Sequence, residues 1–415
     1  MSLDLTEFAL DHPLAEAADR FGTPAYVYFT DIAEARLADL RAALGQWFAI
    51  SYAVKSNPNP ALLGWMRDKL DYLDISSGGE FTLSQEAGWD PGLISFTGPA
   101  KREFELRPAI EAGVGELVVE SLREARLADA IAAELDRVQP VLIRIAPDRV
   151  PKGFGDQMAG RPSAFGIDIE DAAEILPQIA ALPNIRIIGL HIYSGTQSLK
   201  PEAICENWRI FIATFSSICS DLDIVPEKLI FGAGLGIPYH PGEVALDLPA
   251  MAAAIAPDLD AFRREPRFAK ARLVLELGRY LVGPAGYFLT RVVSVKQSRG
   301  TRIAICDGGL NGNLAASGNF GMVIRRNYVM HGVGLDEGHR PAEKHDLTGP
   351  LCTSIDKLGN GVLLPRLEEG DLIAIHAAGA YGPTASPLHF ISHPLPVEIL
   401  VTAGEAEDVT RIHRA

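Results

Sequence analysis

The sequence predicts an α/β + β architecture. A (β/α)8 TIM barrel is followed by a C-terminal β-sandwich or β-barrel domain that also takes in an N-terminal strand. Three observations predict it. Eight short apolar runs alternate with helical segments between residues 48 and 278. Near residue 280 the alternation gives way to strand-like runs joined by Gly-rich turns. One isolated strand-like run, PAYVYF (24–29), precedes the first barrel unit. Strands alternating with helices indicate a parallel sheet, and a change of rhythm marks a second layer system. The expected domains are residues 30–280 for the barrel, and 1–29 with 281–415 for the β domain.

In chain order the eight runs are FAISYAVK (48–55), LDYLDIS (70–76), LISFTG (93–98), GELVVE (115–120), VQPVLIRIA (138–146), IRIIGLHI (185–192), KLIFG (228–232) and RLVLELG (272–278). They are nearly continuous in apolar residues, as strands covered on both faces are. Amphipathic stretches such as SLREARLADAIAAEL and IEDAAEILPQIAAL separate them. Ser121 with Glu124 three residues later forms an N-cap signal. Eight such units point to a closed barrel; a doubly wound open sheet is the competing arrangement. Beyond residue 280, YFLTRVVSVKQSRGTRIAICDGG, DLIAIHAAGAYG and PLPVEILVTAG read as strands.

Composition narrows the function. The chain has 415 residues, 47% hydrophobic and 22% charged, enough for two domains and a large core. Its net charge of −15 argues against a general nucleic-acid role, which needs a basic face. No apolar run reaches membrane-spanning length, and the early acids of MSLDLTEFALDH are unlike a signal peptide. Cys205, Cys219, Cys306 and Cys352 lack metal or disulfide spacing, which fits a reducing cytoplasm. No H-E-x-x-H or C-x-x-C is present, so no metal site is expected.

Barrel enzymes place chemistry at the C-terminal ends of their strands, and the unusual polar residues fall there. Lys55 ends strand one, DISSGGE (74–80) strand two and Glu120 strand four. Arg144 lies late in strand five. HIYSGTQ (191–197), GAGLGIPY (232–239) and ELGR (276–279) end strands six to eight. Each has a plain alternative. A strand can end in lysine for solubility, a lone histidine can be a satisfied core group, and Glu276 can be half of an ion pair. GAGLGI is no dinucleotide fingerprint, because Ile237 stands where the third glycine would fall. It remains either a tight turn or a loop whose N–H groups cradle a phosphate, with Arg279 adding a charge-assisted contact. HIYSG is not G-x-S-x-G, so a hydrolase elbow is unsupported. PDRVPKGFGDQMAGRP (147–162) is a long Gly/Pro-rich loop, either a lid or disordered.

A lysine, a phosphate cradle and an acid around one rim describe a pyridoxal 5'-phosphate (PLP) site. The stretches YAVKSNPNP, DISSGGE, ISFTGPAK, VLIRIAPD, SAFGID, HIYSGTQ, GAGLGIPY, ELGRYLVGPAG, CDGGLN, GPLCTSIDKL and GAYG occur in that order between residues 52 and 382. The chain thereby resembles the barrel-type (fold type III) PLP-dependent decarboxylases, the group of the diaminopimelate, ornithine and arginine enzymes. The resemblance implies that Lys55 carries PLP as a Schiff base and that His191 stacks on its ring. It implies that Glu276 pairs with the pyridine nitrogen, and that Ser194, Gly234, Gly278, Arg279 and Tyr381 bind the phosphate end. Asp74 and Arg144 line the same pocket. Arg279, Cys352, Thr353, Asp356 and Tyr381 would meet the substrate, Cys352 acting as the acid near Cα from the partner subunit of a homodimer. The implied reaction is decarboxylation of an amino acid through an external aldimine and a quinonoid.

Two departures bear on the substrate. Thr353 follows the cysteine where the diaminopimelate enzymes have glutamate. In LNGNLAASGNFGMVIRRNY, Ala315 and Ala316 lie near where those enzymes place an arginine for the distal end of the substrate. LAASGNFG with VIRRNY is similar to a subgroup from secondary-metabolite and exopolysaccharide loci, in which one relative acts on glutamate tethered to an acyl carrier protein. Arg325 and Arg326 would face such an acidic carrier or form a solvated helix face. The alternatives are a decarboxylase of free diaminopimelate, ornithine or lysine, an amino-acid racemase, which Glu276 disfavours, and a non-catalytic PLP-binding protein.

Overall fold

The computed structural model describes residues 10–320, 325–335 and 338–411. The expectations for residues 1–9 and for 321–324 of the GNFGMVI stretch lie outside the described residues. The chain divides into two compact units. One is Leu37–Ile237 with Ala245–Tyr280; the other combines residues up to Arg36, Pro238–Val244 and residues from Leu281 onward.

In the first unit the strands are Ala49–Ala53, Tyr72–Ile75, Ile94–Phe96, Glu116–Val119, Gln139–Ala146, Ile185–Ile192, Lys228–Gly232 and Arg272–Leu277. Each pairs in parallel with its sequence neighbours, and the eighth returns to the first. The ring is closed, so the open-sheet alternative falls away. All eight runs read from sequence are strands, because burial on both faces demands apolar side chains on both. The helix Leu122–Glu134 starts as read, Ser121 Oγ accepting from the Glu124 N–H at 3.2 Å.

The interior is layered with the period of two that strands impose. The middle layer is apolar: Ala49, Val118, Leu142, Ile188, Ile230 and Val274, with Tyr72 packed against it. Two residues earlier on their strands stand Glu116 and Lys228, a buried ion pair with Lys228 Nζ 2.8 Å from both carboxylate oxygens. The Lys228 ammonium also lies 3.9 Å from the Tyr72 ring centroid. Removing one partner of such a pair generally costs about 3–5 kcal/mol, so this end of the barrel is built for stability. Two residues later along the strands come Ser51, Asp74, Glu120, Arg144, Gly232 and Glu276, a polar layer. The register slips between Val141 and Leu142. There a Cβ on Gly189 would sit 1.7 Å from the Lys228 carbonyl oxygen, so only glycine fits.

In the second unit Ala25–Phe29 pairs antiparallel with Gly286–Ser298 and parallel with Val397–Thr402, so the isolated N-terminal run belongs to the β domain. Thr301–Cys306, Leu372–Ile375 and Glu405–Asp408 extend the mostly antiparallel sheet. Three further strands were not legible: Met330–Gly332, Ala342–Thr348 and Lys357–Pro365. The middle one, AEKHDLT, is largely polar, and the last carries two glycines. No helix among the described residues is long and apolar enough to cross a membrane.

Candidate active site

The polar layer and the turns just beyond it form one cluster in the barrel unit. Lys55 sits on a 3-10 turn, Val54–Ser56, directly after the first strand. Its ammonium lies 5.5 Å from the Tyr193 ring centroid. It acts electrostatically on Asp74, Glu80 and Glu276, which places it among carboxylates rather than in bulk solvent. A strand ending for solubility alone would not gather those groups.

His191 and Glu276 lie on strands six and eight and reach across strand seven. Gly232, paired with Glu276 in register, adds no side chain between them. His191 Nε2 is 2.9 Å from Glu276 Oε2, both side chains almost wholly buried. Burial pushes the Glu276 carboxyl up. The His191 hydrogen bond, with the charges of His191, Lys55 and Arg144, outweighs it and carries the group down to about 2. Burial lowers His191, and Arg144 adds to that, against the pull of Glu276. The pair is therefore an ionised carboxylate hydrogen-bonded to the buried His191 ring. His191 Nδ1 is buried without a hydrogen-bond partner.

Asp74 goes the other way. Burial raises it well above the carboxylate range and the nearby Glu276 charge adds to that, against the Lys55 charge. Thr97 Oγ1 donates to Asp74 Oδ1, while Oδ2 has no partner. The two carboxyls are thus pushed in opposite directions by their surroundings. The raised acid makes folding progressively less favourable as pH climbs from the ordinary carboxylate range toward its folded value. Asp74→Asn is expected to remove that cost. In thermal melts of cofactor-stripped protein, the variant should lose less stability than wild type as pH rises from about 4; superimposable pH–Tm curves would contradict this.

Arg144, 5% exposed, lies beside His191 in strand register. Its Nη1 is 3.1 Å from both oxygens of Glu120. Glu120 also accepts from the Gly98 and Gly166 N–H groups, each at 2.9 Å. Glu120 thus ties two loops to the arginine. Glu80 is a site member that the sequence reading left unassigned. Its carboxylate accepts from the Ser76 N–H at 2.7 Å, and its spacing from the Ser77 cap disguises it as a helix-start residue.

The rim beyond strands six and seven is zipped together. Ser198 N–H donates to the Gly234 carbonyl at 3.0 Å and Gly236 N–H to the Ser198 carbonyl at 2.8 Å. The Gln197 amide brackets the Ile237 backbone at 2.6 and 3.1 Å. Within the 147–162 loop, Asp156–Gln157 pairs antiparallel with Gly195–Thr196. Phe154 packs where Cβ atoms on Gly195 and Gly234 would stand, at 2.9 and 2.6 Å. Gly234 also has φ +70°, which favours glycine. Ser194 is buried and donates to Asn207 Oδ1 at 2.9 Å. Gly278 packs against Ser56, where a Cβ would meet Oγ at 2.5 Å, and Arg279 opens the short helix Arg279–Val282.

The expected site residues Cys352, Thr353, Asp356 and Tyr381 belong to the β unit, as do Arg325 and Arg326. Cys352 is an exposed free thiol. The Thr353 N–H donates to the Leu351 carbonyl at 2.7 Å. Tyr381 holds φ +54°, an uncommon conformation for a side-chain-bearing residue. Asp356 is turned inward, its two oxygens accepting from the Leu310 N–H at 2.7 Å and the Leu351 N–H at 2.8 Å. Its carboxylate is committed to joining those loops. Arg326 pairs with Glu243 at 2.7 Å and Arg325 donates to the Lys357 carbonyl. Both of these guanidinium groups are engaged within the unit.

The family description "Pyridoxal-dependent decarboxylase, pyridoxal binding domain" matches residues 31–283. The chain belongs to the pyridoxal-dependent decarboxylases. The L-glutamyl-[BtrI acyl-carrier protein] decarboxylase of Niallia circulans is 34% identical, over 99% of this chain and 95% of its own. The diaminopimelate decarboxylase of Aquifex aeolicus is 31% identical, over 95% of this chain and 90% of its own. The crystal structure of the Helicobacter pylori diaminopimelate decarboxylase complexed with L-lysine superposes with a TM-score of 0.84 at 26% identity, covering 96% of both chains. The cofactor of this decarboxylase is accordingly PLP. The barrel cluster fits that group. It offers a primary amine, an ionised acid, a buried imidazole and a glycine loop, and it leaves Asp74 Oδ2 and His191 Nδ1 buried without a hydrogen-bond partner.

Proposed function

We propose that this decarboxylase acts on an amino acid tethered to an acyl carrier protein. The observation that carries the proposal is the uncharged stretch from Gly308 to Ile324, with Ala315 and Ala316 in it. A free diamino acid or glutamate presents a charged distal end, which is costly to leave unpaired in a closed site. A thioester-linked acyl group has no charge at that end. The identity with the carrier-protein decarboxylase supports the same reading.

In this reading Lys55 supplies the amine that holds the PLP aldehyde. Ser194, the Gly234 loop, Gly278, Arg279 and Tyr381 hold the phosphate. His191 would cover the ring, Glu276 would face its nitrogen, and Asp74 and Arg144 would complete the wall. When bound, PLP supplies an electron-poor ring that accepts the electron pair left as CO2 departs. The ionised Glu276 keeps a proton on the ring nitrogen, a preorganised electrostatic contribution. His191 holds that carboxylate in place through its Nε2 contact. Lys55 or Cys352 then returns a proton to Cα. Cys352, exposed on its own unit, would reach the site across a homodimer. Arg279 and Thr353 border the substrate, whereas Asp356 positions the loop that carries Cys352.

The test is CO2 release from matched free and carrier-linked amino acids, including diaminopimelate, ornithine, lysine and glutamate. The tethered substrate should exceed every free one in kcat/KM by on the order of 10²-fold, about the value of one unpaired charged group. Equal or better turnover of free diaminopimelate would sink the tethered reading. Mixing inactive Lys55→Ala and Cys352→Ala subunits should restore part of the activity if the sites are shared.

A further inference from the structure

We infer that Asn207 sets the direction of the Ser194 hydroxyl proton and so tunes the affinity of the rim for the cofactor phosphate. The inference rests on reading Ser194 as a phosphate ligand. Both side chains are 1% exposed, and Ser194 Oγ lies 2.9 Å from the Asn207 amide. Asn207 stands in the helix Pro201–Asp221, which follows the HIYSGTQ turn. With Oδ1 facing the serine, two things are wrong for anion binding. The hydroxyl proton is spent on Asn207, and Asn207 Nδ2 is a buried donor with no partner.

Turning the amide about its Cβ–Cγ bond corrects both. The two ends of an amide are nearly isosteric. Nδ2 then donates to Ser194 Oγ, and the hydroxyl proton is free to point at an anion. A hydroxyl that receives one hydrogen bond while giving another is also a better donor, because such chains polarise one another. Asn207 therefore accepts from Ser194 in one orientation and donates to it in the other. A phosphate beside Ser194 selects the second. Asn207 is a positioning residue, acting through Ser194 and not on the reacting atoms.

The experiment measures PLP dissociation constants by absorbance titration after cofactor removal from the holoenzyme, for wild type, Asn207→Asp, Asn207→Leu, Ser194→Ala and Ser194→Ala/Asn207→Asp. Aspartate is nearly isosteric but only accepts, so it locks the hydroxyl proton away from the phosphate. N207D should weaken PLP binding by on the order of ten- to hundredfold. Leucine leaves the hydroxyl free to donate, so N207L should weaken it only a few-fold and shift the phosphate 31P resonance. A purely structural role gives the reverse order, with the isosteric aspartate benign and leucine harmful, and would overturn the inference. The N207D penalty should shrink in the Ser194→Ala background; an undiminished penalty means charge repulsion alone and also overturns it. Should N207D not fold, N207L decides by itself, and wild-type affinity with an unmoved 31P resonance overturns the proposal. Wild-type affinity in Ser194→Ala removes the underlying reading as well. A weakened Ser194→Ala with an unaffected N207D removes this inference alone.

Discussion

Lys55→Ala is expected to abolish decarboxylation while leaving the protein folded. The side chain projects from a 3-10 turn after the first strand and is half-buried, so its loss removes no core packing. Substitutions away from core and caps usually change stability by about 0.5 kcal/mol or less. The chemical loss is much larger in the proposed mechanism, where the amine would both anchor the cofactor and return a proton. Proton transfer alone contributes roughly 10²–10⁴-fold, so CO2 release should fall by at least that factor. The visible absorbance of the cofactor should change, and added small amines should restore part of the rate. Turnover within tenfold of wild type, measured by CO2 release under saturating cofactor, would remove Lys55 from its role.

Glu276→Gln is expected to give the second-largest loss, on the order of 10²–10³-fold in kcat, the usual scale for one preorganised electrostatic contact. Glutamine keeps the shape and still accepts from His191, so the fold and cofactor affinity should survive. Only the charge is lost. Glu276→Ala should be worse, since it also strands the buried imidazole. The carboxyl is held down to about 2 by His191 and the nearby cations against its burial. Its stabilising contribution is therefore complete above the ordinary glutamate range and disappears as pH falls toward 2. The acidic side of the pH–rate profile should consequently belong to other groups. Near-normal kcat in Glu276→Gln, with PLP bound, would refute the role.

Much of this was legible in sequence because the physics acts along the strand. Eight barrel strands are buried on both faces, so each writes its own apolar run, and the polar interruptions at their C-terminal ends mark Lys55, Asp74, Arg144, His191 and Glu276. PAYVYF could be assigned to the β domain because it precedes the first of the eight barrel units. What stayed hidden depends on partners distant in the chain. Glu120 clamps Arg144 from 24 residues away. Lys228 meets Glu116 across 112. Tyr193 within HIYSGTQ, Phe154 within the 147–162 loop and Asn207 in the helix that follows reveal their places only through a ring near Lys55, two glycines and a buried amide. Asp356 sits in the GPLCTSID stretch that marks the family, yet its hydrogen bonds run to the backbone of Leu310 and Leu351. A motif fixes the position of a residue in the chain, not the direction of its side chain.

The most direct measurement is borohydride reduction of the purified, PLP-loaded protein followed by peptide mapping. The site as built places one amine among an ionised acid, a raised acid and a buried imidazole. The label should therefore appear on the peptide containing Lys55, and substrate added before reduction should lower its yield. Label on another lysine, or none on a protein that still releases CO2, would contradict the assignment of the barrel rim as the catalytic site.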